Sequence, residues 1–101
     1  MVQHFLLWRF SDSIRAGDTA PYLEQISDSV ATLTQIPQVI NAGIRPLLPG
    51  GEWDFLFCVT LEDLSQLPVY QNHPIHQAHQ QRCKDWLVKA TAFDVQVLDN
   101  E

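Results

Sequence analysis

The chain has 101 residues, 46% of them apolar, with twelve acids against six bases and a net charge of −6. That length suits one domain able to hide roughly two-thirds of its unfolded surface, and the apolar share argues against disorder. The bases are dispersed and no basic stripe interleaves with aromatics, so nucleic acid is not an expected partner, and the acidity reads as colloidal solubility.

Two cysteines, Cys58 and Cys83, are too few for a disulfide framework and suit a reducing cytoplasm. The opening MVQHFLLWRF lacks a basic n-region, so no signal peptide is expected. No apolar stretch approaches the length of a bilayer span. The expectation is a cytoplasmic protein with no membrane partner.

Val2 to Phe10 alternates and is rich in aromatics, which predicts a strand. SDSIRAGD supplies turn residues, and Asp18 or Thr19 can cap a helix with Pro21 in its first turn. Leu23, Ile26, Val30 and Leu33 follow at helical spacing, and Pro37 closes that helix. Val39 to Arg45 reads as a strand and PLLPGG as a loop. Trp53 to Leu61, WDFLFCVTL, is the strongest strand signal. Glu62 to Gln71 reads as a short helix, Pro74 opens another that runs to about Val88, and Ala92 to Leu98 forms a last strand.

That order is an α+β, ferredoxin-like split βαβ arrangement with a four-stranded antiparallel sheet, a single domain over residues 1–101. Helices cover one face of such a sheet. Here both faces are apolar: Trp53, Phe55, Phe57, Val59 and Leu61 alternate with Leu56 and Cys58, and Val2, Leu6, Trp8 and Phe10 with Phe5 and Leu7. A second copy, sheet against sheet, would cover the spare face and bury about 1,200–2,000 Å² or more. A homodimer is therefore expected.

Three of the four histidines fall within YQNHPIHQAH, Tyr70 to His79. His73 precedes a proline and falls at a helix cap, where it shapes the turn. His76 lies two residues into the helix, whose positive end lowers an imidazole pKa and keeps the neutral base available. Tyr70 can bring its hydroxyl beside it. Such a pair can remove a proton α to a carbonyl while the phenol steadies the enolate oxygen, with no cofactor. The competing reading has His76 bonded to backbone and Tyr70 as a core ring. His4, on the same strand face as Leu6 and Trp8, can line a pocket with His76. His76, His79 and Cys83 share a helix face at i, i+3, i+7, but no closed four-ligand zinc set accompanies them, so no metal is assigned. Nucleotide, phosphate-loop and serine-hydrolase motifs are absent, and Glu62 and Asp63 read as helix-start residues.

The opening MVQHFLLWRF, a strand ending VTLED, and Tyr-Gln-x-His-Pro-x-His within YQNHPIHQAH together resemble the stress-responsive A/B barrel (Dabb) domain family, over nearly the whole chain. The resemblance implies a dimeric α+β barrel. Most members have no assigned activity; some are plant stress proteins, and some plant relatives cyclise polyketides. The antibiotic-biosynthesis-monooxygenase-like families share the barrel but lack the histidine-proline signature. By position, the resemblance implies His76 as pocket base, Tyr70 as its partner and His4 as the first-strand histidine; His4, Phe55, His73 and His79 are the candidate substrate contacts. This chain departs from the family at three positions. Phe55 stands where the cyclase-like relatives have a histidine, His79 where the helix is usually apolar, and Pro68 where a helix former is common. Two functions follow: a homodimer with a small-molecule pocket, carrying proton-transfer or cyclase-like chemistry on a carbonyl compound, or a non-enzymatic stress-response barrel. The residues alone leave open whether it is an enzyme.

Overall fold

The computed structural model describes residues 1–98. In chain order the elements are β1 (Val2–Phe10), α1 (Asp12–Arg15), α2 (Ala20–Ala31), a 3₁₀ turn (Thr32–Gln35), β2 (Val39–Pro46), β3 (Phe55–Leu61), α3 (Gln66–Gln71), α4 (Pro74–Cys83) and β4 (Leu87–Gln96). The strands form one antiparallel sheet in the order β2-β3-β1-β4, the ferredoxin-like α+β arrangement expected from the element order. Among the described residues no helix is long and apolar enough to cross a membrane.

The period-2 alternation of β1 and β3 decides which side chains meet. Register sets His4 opposite Val59, Leu6 opposite Phe57 and Trp8 opposite Phe55, so even positions of β1 and odd positions of β3 share the helix-covered face. On that face Phe10, Phe55, Val59 and Leu61 are 1% exposed or less. Helix α2 starts where Asp18 Oδ1 accepts the Ala20 N–H at 3.0 Å, and its buried stripe is Ile26, Ser29 and Val30. Leu33 and Ile36 continue the stripe through the 3₁₀ turn and are fully buried.

Several boundaries differ from the sequence expectation. The residues read as a turn after β1 include the one-turn helix α1. Helix α3 begins at Gln66 rather than Glu62, because Asp63 Oδ1 instead takes the Ser65 N–H and closes a local turn. Helix α4 stops at Cys83, five residues before Val88, and β4 starts at Leu87, five before Ala92. Pairing with β1 decides this: Leu87 lies opposite Phe10 and Lys89 opposite Arg9, while Val88 is skipped in the register and left 63% exposed.

The other sheet face has no helix on it. Phe5 and Phe93 stack there with centroids 5.1 Å apart, beside Leu56 and Cys58, and Phe93 is 45% exposed. The free cysteines lie on opposite faces, Cys58 on this one and Cys83 under α4.

Because Leu33 is fully buried and Leu48 is 89% exposed, Leu33→Ala should cost about 2–5 kcal/mol in urea unfolding and Leu48→Ala less than about 0.5 kcal/mol. Equal midpoints for the two would contradict the placement of the core.

Candidate functional site

The site is built from the start of α4. Pro74 takes the first helical position with its fixed φ and holds His73 out of helical geometry. His73 is extended at φ −69°, ψ 139°, and its Nδ1 accepts the Ile75 N–H at 3.1 Å. His73 is therefore the helix cap, as the proline after it suggests.

From that start His76, His79 and Cys83 turn toward the sheet, and among α4 residues only Cys83 is buried. The gap they leave is a cavity of about 310 Å³. Its floor is Leu6 and Trp8 of β1 with Phe55 and Phe57 of β3, and α2 contributes Ile26 and Val30. Tyr70, at the end of α3, joins His76, His79 and Gln80 of α4 as its polar wall, and Lys84 lies at the end of that wall. An apolar cavity with a few convergent polar groups is the usual form of a small-molecule site.

Tyr70 is 1% exposed and its ring meets His76 edge-on, with centroids 4.5 Å apart. Burial pushes its phenol well above the ordinary range, so the hydroxyl remains a protonated donor. His76 Nδ1 lies 3.0 Å from the Gln71 carbonyl oxygen. A carbonyl only accepts, so Nδ1 carries the hydrogen and Nε2 the lone pair. Burial pushes the His76 pKa down, the Gln71 bond opposes this, and nearby His4 adds to it. The sequence reading assigned the downward shift to the helix's positive end; loss of water is the larger cause here.

His79 stacks on Phe57 at 6.5 Å and lies with Nδ1 2.7 Å from Ser29 Oγ. Burial, then His76 and Arg82, push its pKa down to about 4. Arg82 donates from Nε to Ser29 Oγ at 2.8 Å and from Nη2 to Thr32 Oγ1 at 3.2 Å, tying α4 to α2. Among the described residues Gln38 Oε1 is the buried side-chain polar atom left without a partner. The Tyr70 hydroxyl and the Nε2 atoms of His76 and His79 make no hydrogen bond within those residues, so they reach open space along the cavity wall.

The fold thus brings together Tyr70, His76, His79 and Phe55. His4 and His73 stand outside the cavity lining. His4 is 7% exposed and donates from Nδ1 to Asp94 Oδ1 at 2.7 Å across the β1–β4 pair. No group of three or more His, Cys, Asp or Glu side chains among the described residues is arranged to hold a metal ion. Sequence reasoning missed Ser29 and Arg82. The signal for Ser29 was its spacing: three residues after Ile26 and four before Leu33, it falls on the apolar stripe of α2, where a hydroxyl needs a partner.

No curated protein matches the chain. Among solved structures it is similar to a dimeric ferredoxin-like protein of unknown function from Bacteroides fragilis, at TM-score 0.81 and 16% identity over 95% of each chain. It is similar to a dimeric ferredoxin-like protein of unknown function from Thermobifida fusca, at TM-score 0.77 and 24% identity over 95% of this chain and 90% of that one. A Dabb family protein with a ferredoxin-like fold from Mesorhizobium loti matches at TM-score 0.73 and 20% identity over 96% of each chain. At these identities the likenesses establish the fold alone. The sequence profile of the stress responsive A/B barrel domain, Dabb, matches residues 2–97, and the chain belongs to that family.

Proposed function

We propose that this protein, one domain over residues 1–101, is a cytoplasmic homodimeric barrel. Each protomer holds a small apolar ligand and moves a proton α to its carbonyl. The observation that carries the reading is the His76 imidazole, its Nε2 lone pair uncommitted, set edge-on to the buried Tyr70 ring with centroids 4.5 Å apart in the wall of a largely apolar cavity.

In this reading His76 Nε2 takes a proton from the carbon next to the carbonyl. The C–H electron pair becomes the C=C bond of an enolate, and the carbonyl oxygen takes the negative charge under the Tyr70 O–H. The proton then returns to carbon, or the enolate carbon attacks a second carbonyl of the same ligand, its C=O pair becomes an alkoxide that takes the proton back from His76, and a ring closes. No cofactor enters. Loss of water at the site suits these roles, since it keeps the imidazole neutral and the phenol protonated. The competing reading, a non-enzymatic stress-response barrel, draws on the His73 cap and the His76–Gln71 bond, which also fix the turn before α4.

The dimer draws support from the uncovered sheet face and from the two neighbours described as dimeric. Phe93→Asp places a charge on that face and should convert a micromolar dimer to a monomer in sedimentation. A wild type that sediments as a monomer would remove the barrel.

Exchange of acetophenone methyl protons with D₂O tests the chemistry. His76→Ala should slow it by about 10²–10⁴ and Tyr70→Phe by roughly 10². Equal rates for wild type and His76→Ala would favour the non-enzymatic reading.

The pH profile tests the base. Because the folded pKa of His76 lies below the ordinary 6.5, the neutral form persists further into acid. The rate should rise with pH and level off with a half-point below 6.5. The raised Tyr70 pKa should leave no falling limb near neutrality. A half-point above 6.5 would contradict the assignment.

A further inference from the structure

The two cavity histidines differ in what their Nδ1 atoms touch, and that difference decides what their other nitrogens present. His76 Nδ1 faces the Gln71 carbonyl, which leaves Nε2 a lone pair. His79 Nδ1 faces Ser29 Oγ at 2.7 Å, and the same Oγ receives the Arg82 Nε–H at 2.8 Å. A guanidinium N–H only donates, so one lone pair of Ser29 is engaged and its own O–H is left to give. Donation from a cation polarises that O–H and makes it a stronger donor. Two acceptors lie beside it, the His79 nitrogen and the Cys83 thiol. A neutral imidazole nitrogen is the better acceptor of the two, since a thiol sulfur accepts weakly. A His79 N–H aimed at an oxygen already held by a guanidinium is the poorer arrangement.

We infer that Arg82 and Ser29 hold His79 as the Nε2–H tautomer, opposite to His76, so that one face of α4 offers a ketone both a donor and a base. The ligand role rests on the proton-transfer reading above; the tautomers do not. The two rings lie 6.4 Å apart between centroids. Hydrogen bonds of about 3 Å from each let a single carbonyl group and its neighbouring carbon meet both. His79 Nε2–H then joins the Tyr70 hydroxyl on the developing enolate oxygen while His76 Nε2 takes the proton. His79 is a catalytic residue in this scheme, and Ser29 and Arg82 are positioning residues. The ligand class is a small ketone with an apolar or aromatic body lying on Leu6, Trp8 and Phe57.

Long-range ¹H–¹⁵N correlation spectra of the wild-type protein at pH 7, with and without acetophenone, test this directly. His79 should carry its proton on Nε2 and His76 on Nδ1, and acetophenone should shift the His79 Nε2–H resonance. Ser29→Ala should mix the His79 tautomers and leave His76 unchanged; a His79 spectrum untouched by Ser29→Ala removes the positioning role. His79 protonated on Nδ1, or acetophenone that moves His76 but not His79, overturns the inference. If acetophenone moves no cavity resonance while the tautomers are as stated, the ligand reading fails, and the donor role with it.

Discussion

Helix α4 holds two imidazoles and a thiol against the sheet, where a closely packed helix would hold leucines or isoleucines. Protein interiors pack as densely as organic crystals, and a helix rests at the distance its inward side chains set. Across the cavity from it stand the aromatics Trp8, Phe55 and Phe57 of the sheet and the aliphatics Ile26 and Val30 of α2. Between that wall and the ring edges of His76 and His79, matter is missing. The cavity, its apolar floor and its polar wall all follow from this one mismatch.

Loss of water is the second consequence. The same burial pushes the Tyr70 phenol up and the two histidines down, so these three groups are neutral around pH 7. Their charge states depend on how far α3, α4 and the sheet bury them, which makes packing and chemistry one problem. Arg82, whose guanidinium is spent on Ser29 and Thr32, adds positive charge near His79 and keeps that imidazole neutral as well.

Much of this was legible in the sequence because it is local. Alternating aromatics and β-branched residues placed β1 and β3, and the Pro74 signal placed both the start of α4 and the His73 cap. Tyr70 and His76 were paired correctly as neighbours because α3 and α4 are almost continuous. What the sequence hid was decided between distant segments. Trp86 to Val88 extends the helical pattern of α4, and only pairing with Phe10 of β1 turns Leu87 into strand. His4 points to the helix face as expected, but its carboxylate partner Asp94 lies 90 residues away. Ser29 and Arg82, 53 residues apart, meet only once α2 and α4 pack.

In the proposed function the cavity under α4 receives a carbonyl compound at its Tyr70–His76 wall. A crystal structure of the protein soaked with phenol, a stable mimic of an enol, tests it most directly. The ring should lie on the Trp8–Phe57 floor with its hydroxyl within about 3 Å of the Tyr70 oxygen or a cavity-facing Nε2. A cavity that stays empty at saturating phenol, or a ring seated there with its hydroxyl turned away from both histidines and Tyr70, would contradict it.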